Sequence, residues 1–428
     1  MREHHYETLN ETLHTYEIKD RLKVYHVHKP DSAKTFVSAT VPLGSVHEGY
    51  RDHDGTIHHV PRGVAQCLEH AMFKRNGEDL SKAFAREEAS INAFTDHHAT
   101  TYLFSATAGV AAHTERLLQM LLFPELNAET VEKEKQIITE ELNMHNDDPF
   151  YLQYRGLMNN LYATHPLKDD ILGTASSIGS MTPEDLMAMH EAYYDPVRMH
   201  VVVVGNIAPS TLHAHLEKCV SFPGFSKKTP LEIRKENVRT VNSAYERRSF
   251  DIMTPSLMMG LKLGPEIYAS KEPIKRFLTY SIAIEALLGS TSQRYESFLE
   301  NKLVNDAYDI DVVFEPSYAN ILLFAETDYP EDLREALLKV ITEEAPRALP
   351  MEDFLRVKRS MLGQFIRVFD SSERLAGEIA DHLQFNLLYH DLFTILESVT
   401  KEAVDSALKD LDPSSISTFA ALPSRHHK

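Results

Sequence analysis

Cysteine is nearly missing from this chain. Cys67 and Cys219 are the only two in 428 residues, and neither stands in a C-x-x-C pair. That argues against a disulfide framework and against a cysteine-pair zinc site. The opening residues, MREHHYETLNETLH, are polar and contain no apolar core of an export signal. No apolar run approaches the ~18 residues that suggest a membrane span. The expectation is a cytoplasmic protein with no membrane partner. No P-loop pattern is present, so nucleotide-driven chemistry is not expected. Positive charge is also scarce: 44 Lys and Arg stand against 63 Asp and Glu, a formal net charge of -19. Such a surface repels phosphate backbones, which argues against nucleic acid as a partner.

What is present describes a globular protein with a sizeable core, 43% hydrophobic and 25% charged. The length suits two or three domains rather than one. The 23 histidines include the pairs His4-His5, His58-His59 and His97-His98. On polar stretches such pairs read as solvated surface. The first third alternates strand and helix signals. Residues 22–28, 35–43 and 100–106 read as strands, and 63–73, 110–122 and 128–144 as helices. A helix over 183–194, a largely apolar strand over 199–204 and a helix over 210–219 follow. From 222 to 242 the chain turns polar and basic, with Pro223, Gly224 and Pro230, as a linker does.

A second cycle then begins. Strands are expected at 252–263, 309–314 and 319–326. Helices are expected at 274–289, 293–300, 331–345, 351–369, 372–385 and 401–408. Pro42-Leu43-Gly44 ends a strand of the first cycle and Lys262-Leu263-Gly264 one of the second. That pairing hints at one fold used twice. The division expected is 1–222, a linker at 223–242, and 243–428.

The chemistry centres on Gln66-Cys67-Leu68-Glu69-His70. On a helix, positions 66, 69 and 70 share a face. The inverted zinc motif H-x-x-E-H uses that spacing, with two histidines on zinc and a Glu that activates water. Here Gln66 replaces the first histidine. Downstream, Glu134 and Glu141 lie two helical turns apart on one face, with Ile137 and Ile138 expected to pack beneath. Between them, Ser90-Ile91-Asn92-Ala93-Phe94-Thr95 and Thr100-Thr101-Tyr102 read as strand, loop and strand.

In this order the segments resemble the pitrilysin/insulinase family of zinc peptidases, the inverzincins, in its mitochondrial-processing-peptidase-like branch of two-subunit bacterial type. The family pattern runs from a zinc helix to an N-A-x-T strand, a T-x-Y strand and an E-x6-E helix. An aromatic segment follows, here Tyr193-Tyr194-Asp195-Pro196, and the likeness continues through Glu285-Ala286-Leu287-Leu288-Gly289-Ser290 and Ser292-Gln293-Arg294-Tyr295. The resemblance implies an α+β fold of two similar α/β domains, each a mainly antiparallel sheet covered by helices on one side. Together they would form a half-clamshell.

It further implies Zn²⁺ as cofactor, with His70 and Glu141 as ligands, Gln66 in the third place and Glu69 as general base. Glu134 would shape the charge of the site. Asn92, Ala93 and Phe94 would form the edge strand that pairs with an extended peptide substrate. An amide oxygen is a poorer zinc ligand than imidazole, so weakened metal binding is expected. Members complete in one chain carry R-x6-Y in the second half; here Asn301 precedes Tyr308 and no Arg occurs from 300 to 308. Tyr308 would be the substrate-binding half of that pair. The Arg/Tyr pair would come from a homologous partner in a heterodimer. The expected function is cleavage of peptides or unfolded segments, leader peptides among them, in a shared chamber. The alternative is a non-catalytic homologue that serves as a structural or peptide-binding subunit.

Overall fold

A computed structural model describes residues 1–75, 77–264, 267 and 272–424. Seven strands of the first unit form one sheet: β1 (Arg2–Tyr6), β2 (Glu11–Ile18), β3 (Leu22–His28), β4 (Thr35–Val41), β5 (Ala89–Thr95), β6 (Thr100–Ala106) and β7 (His200–Gly205). Their order across the sheet is β1-β2-β3-β7-β4-β6-β5. The β3–β7 pair is parallel; the other pairs are antiparallel. β5 therefore stands at an edge, as expected for the strand carrying Asn92, Ala93 and Phe94.

The second sheet comprises β8 (Tyr245–Phe250), β9 (Ser256–Lys262), β10 (Tyr308–Phe314), β11 (Ala319–Glu326) and β12 (Ile416–Pro423), in the order β8-β12-β9-β11-β10. Again one pair, β8–β12, is parallel and the rest antiparallel. The sequence β3-β7-β4-β6-β5 in the first sheet repeats this pattern strand for strand. Pro42-Leu43-Gly44 and Lys262-Leu263-Gly264 follow or close β4 and β9, the middle strand of each shared set of five. The hint of duplication thus rests on a common topology.

The expected helices are found with boundaries shifted by a residue or two, except that 331–345 ends in a π-helical turn. Among the features that differ, three shape the fold. The hairpin β1–β2 is too polar to signal a strand. The helix Pro149–Leu161 follows directly on the charged helix Ala128–Asn146, with Asp148 as its N-cap. β12 is built partly of Ser417, Thr418, Ala420 and Ala421, residues of weak or mixed strand preference, yet all are buried.

The first sheet is also covered on both faces, not one. Val201, Val202, Val203 and Val204 are all fully buried, so successive side chains on opposite faces both leave water. One face meets the main core, which includes Leu68, Leu117, Leu118 and Leu121. The helix Ser372–Leu383 packs on β4 and β7, burying Leu375, Ala376, Ile379 and Ala380. Contacts accordingly group the chain into 1–142, 170–233 and 365–390 as one unit, and 143–169, 234–364 and 391–428 as the other. The units interleave along the sequence, unlike a consecutive division at 222 and 243.

Within the second unit, the segment read as a linker is fastened by one buried ion pair. Lys262 Nζ donates to Glu236 Oε1 at 2.7 Å and to the carbonyls of Leu161 and Thr240, both at 3.0 Å. Glu236 Oε2 accepts from Thr164 N at 2.6 Å and His165 N at 3.0 Å. Burial alone would raise the Glu236 carboxyl, but Lys262 and the two backbone donors outweigh it and lower it from 4.5 to about 2. A depressed carboxyl gives stability that is complete above its unfolded range and lost as pH falls through the folded value. The window here is therefore about pH 4.5 down to 2. Glu236→Gln should cost roughly 3–5 kcal/mol by leaving Lys262 buried and unpaired. It should also flatten the loss of stability across that window. Hydrogen exchange of the β9 amides between pH 5 and 2 measures both; an unchanged acid response in the variant would refute the assignment.

Candidate metal centre

The site is assembled on two helices of the first unit, α1 (Val64–Met72) and α2 (Ala128–Asn146). Gly63 begins α1 with φ of 87°, a left-handed conformation that favours glycine. A Cβ there would also lie 2.1 Å from the carbonyl oxygen of Leu172. Val64, Cys67, Leu68, Ala71 and Met72 are buried in the core. Their spacing turns Gln66, Glu69 and His70 to the neighbouring face. On α2, Val131, Ile138 and Leu142 form the buried stripe, and Glu134 lies in it at 3% exposure. Ile138 packs beneath as expected; Ile137 does not, being 46% exposed.

His70 is the hub. Its Nδ1 faces Glu134 Oε2 at 3.4 Å, and its Nε2 lies 3.9 Å from Glu141 Oε2. The Gln66 amide donates to His70 Nε2 at 3.2 Å. That bond requires the lone pair on Nε2 and the proton on Nδ1, aimed at Glu134. Glu134 therefore acts as an orienting carboxylate for the imidazole, the arrangement that fixes a metal-binding tautomer. Its other oxygen lies 3.7 Å from Lys74 Nζ, which also donates to Asp79 at 3.0 Å.

Burial alone would lower the His70 pKa, but Glu134, Glu69 and Glu141 together raise it. The same negative surroundings favour any cation at Nε2, proton or metal. Burial raises the Glu69 carboxyl above the usual carboxylate range, against the opposing pull of Thr95 and His70. Thr95 Oγ1 donates to Glu69 Oε2 at 2.7 Å and holds the carboxylate in place. Thr95 is the residue whose role the sequence reading passed over. Its signal was the alternation of β5, where Ile91, Ala93 and Thr95 share one face. Ile91 and Ala93 pack on the core, while Asn92 and Phe94 are exposed on the other face.

The Gln66 amide and the Glu141 carboxylate both lie near His70 Nε2, at 3.2 and 3.9 Å, and the three side chains offer donors that a zinc could take. Ligand atoms ~2.0–2.1 Å from a tetrahedral zinc are about 3.3 Å apart; the Gln66 amide nitrogen stands at that spacing from His70 Nε2, and Glu141, at 3.9 Å, stands beyond it. Rotating the Gln66 amide would present its oxygen in place of its nitrogen. Cys67 takes no part; burial pushes its thiol up to about 12. His97 bonds Ser45 Oγ at 2.9 Å in the turn between β5 and β6, and burial lowers its neighbour His98 to about 4. Tyr308 belongs to the second unit, on β10. It is buried, and its hydroxyl donates to the Leu288 carbonyl at 2.7 Å rather than to open space.

Residues 23–175 match the insulinase (peptidase family M16) domain, and 180–361 match the domain described as the peptidase M16 inactive domain. The uncharacterized zinc protease YmfH of Bacillus subtilis is 29% identical over 409 residues, 95% of each chain. An M16-like peptidase from Alicyclobacillus acidocaldarius superposes with a TM-score of 0.90 at 26% identity, over 97% of this chain and 99% of its own. Pitrilysin shares the fold at 15% identity and a TM-score of 0.74, with 98% of this chain matching 46% of it. This chain thus has the size of one half of pitrilysin.

For a zinc held at this centre, Gln66 would be the weakest donor. Gln66→His would supply two imidazoles and a carboxylate, a donor set known in catalytic zinc enzymes. The substitution should tighten zinc by roughly a hundredfold or more, equivalent to about 3 kcal/mol. After mild chelation and dialysis, the variant should keep near one zinc per chain at this centre where the parent loses it. Equal retention in both forms would show that the amide is an adequate ligand.

Proposed function

Because the chain belongs to the M16 peptidase family of insulinase and pitrilysin, we propose that it is the motif-bearing subunit of a zinc-dependent endopeptidase. Its substrates would be peptides or unfolded segments, including leader peptides. One observation carries the reading: Glu134 and Glu141 of α2 meet His70 and its neighbour Gln66 on α1, while Glu69 of the same helix is bonded by Thr95 of the edge strand β5. A structural homologue has no physical need to bury Glu69 and Glu134 there.

Each residue has a task in this scheme. Gln66, His70 and Glu141 would hold Zn²⁺, and Glu134 keeps the His70 ring in phase. Zinc, when bound, supplies Lewis acidity for a carbonyl and lowers the pKa of its water. Glu69, its carboxyl raised by burial and held by Thr95, would serve as the general base. The free edge of β5 pairs with the main chain of an extended peptide without demanding one sequence.

A homologous partner would complete the site with an Arg/Tyr pair. Two features support this: no Arg lies between 300 and 308, and the Tyr308 hydroxyl is committed to Leu288. The second reading, a non-catalytic peptide-binding or structural subunit, is favoured by Gln66 alone, whose amide occupies the lone pair of His70 Nε2.

Two experiments test the proposal. Glu69→Gln should lower peptide hydrolysis by at least a hundredfold with little effect on folding or peptide binding, since a base is lost at nearly constant volume. Activity retained within a few-fold would remove Glu69 from the mechanism. The zinc-loaded chain alone should cleave a peptide panel very slowly, and addition of a homologous chain carrying R-x6-Y should restore cleavage. Full activity from a monomer, established by sedimentation beside the assay, would overturn the two-subunit scheme.

A further inference from the structure

Elsewhere in the first unit, the helix Pro209–Cys219 packs against the helix Val110–Leu122. Leu212 and Leu216 are buried and fix its rotation. His215 and Cys219, four residues apart, therefore project from adjacent turns of one face. Glu115 on the other helix meets them. One ligand atom each from Glu115, His215 and Cys219 lies within 4.8 Å of the others, the one such group of His, Cys, Asp or Glu among the described residues. His215 Nε2 is 2.8 Å from Glu115 Oε2. The other Glu115 oxygen accepts from Gln119 Nε2 at 3.0 Å, which orients the carboxylate. All three are half-buried, open enough for an ion to enter.

We propose that Glu115, His215 and Cys219 form a second metal site, separate from the centre at His70, for a thiophilic divalent ion such as zinc. The chemistry follows from the donors. Sulfur, imidazole nitrogen and carboxylate oxygen together select zinc-like ions over magnesium or calcium. Ligands on a tetrahedral zinc stand roughly 3.3–3.7 Å apart, so small side-chain rotations close the group. Binding at His215 Nε2 leaves the proton of the neutral ring on Nδ1, and the Cys219 thiol gives its proton to water, so that a thiolate bonds the ion. Water takes the fourth position. His215 and Cys219 use the same i, i+4 helical chelate geometry as paired zinc histidines. Glu115 and Gln119 provide the third ligand and its orienting partner. Cys219 is the last residue of its helix, so the ion would staple the point where the chain leaves that helix to the body of the unit.

The thiolate gives this site a signature that the His70 centre cannot produce, since Gln66, His70 and Glu141 contain no sulfur. The reduced, metal-free full chain is titrated with Co²⁺ and the near-ultraviolet thiolate-to-cobalt charge-transfer absorption is followed. The parent should develop the band and saturate at one thiolate-bound cobalt per chain. Cys219→Ser should abolish it while the circular dichroism spectrum is unchanged. Glu115→Gln should keep the band but require at least tenfold more cobalt, and Gln119→Leu should weaken binding by about 10–100-fold. No band in the parent, a band that survives Cys219→Ser, or a band that appears only at large cobalt excess would overturn the proposal. None of those results bears on zinc at His70, which is read by peptide hydrolysis and by zinc retention.

Discussion

A carboxylate in an apolar stripe is expensive unless cations or donors meet it, and Glu134 sits in such a stripe between Val131 and Ile138. His70 and Lys74 meet it, one on each oxygen. This requires α1 and α2 to face one another in a single phase. The core side of α1 then has to be apolar, which Val64, Leu68, Ala71 and Met72 satisfy. Gly63 has to turn the chain where Leu172 leaves no room for a side chain. Once the His70 ring is held at Nδ1, Nε2 can point only toward Gln66 and Glu141. The chemical face of the site is thus a result of how one buried charge is satisfied.

Much of this was readable from spacing. The stripe of α1, the two-turn separation of Glu134 and Glu141, and the strand–loop–strand around Asn92 and Thr100 all follow from periods of 3.6 and 2. What escaped depends on distance along the chain. Nothing local marks residues 372–383 as the cover for β4 and β7, or Glu236 as the partner of Lys262. The buried run Val201–Val204 was a clue that both faces of its strand are covered, because a half-exposed strand would alternate. Thr95 lay inside a recognised segment, yet its bond to Glu69 joins positions 26 residues apart. The bond from the Tyr308 hydroxyl to the Leu288 carbonyl likewise joins positions 20 residues apart that no local pattern connects.

The two sheets show how one architecture can carry unequal chemistry. α1 lies between β4 and β5 in sequence, and the long helix Pro273–Leu288 lies between the topologically equivalent β9 and β10. The first presents Gln66, Glu69 and His70. The second is a more apolar helix in which Leu278, Ile282 and Leu287 are buried. Its Glu285 carboxyl is raised by burial, with Arg356 opposing and Asp309 adding to the rise. The duplicated frame supplies edge strands in both units, but of these two equivalent helices it is α1 that carries the imidazole and the carboxylate of the His70 centre.

The interleaving of the units has a consequence for how the protein is made. The first sheet receives the cover on β4 and β7 from residues 372–383, so it cannot finish when its own strands have left the ribosome. Between residue 233 and residue 390 the nascent chain grows by 157 residues. At about 5–20 residues per second that is roughly 8–30 seconds. Throughout that interval one apolar face of β4 and β7 is without its helix. The chain is therefore exposed to chaperones during its own synthesis, and a truncation that removes the last quarter would leave the first unit, not the second alone, with an open sheet.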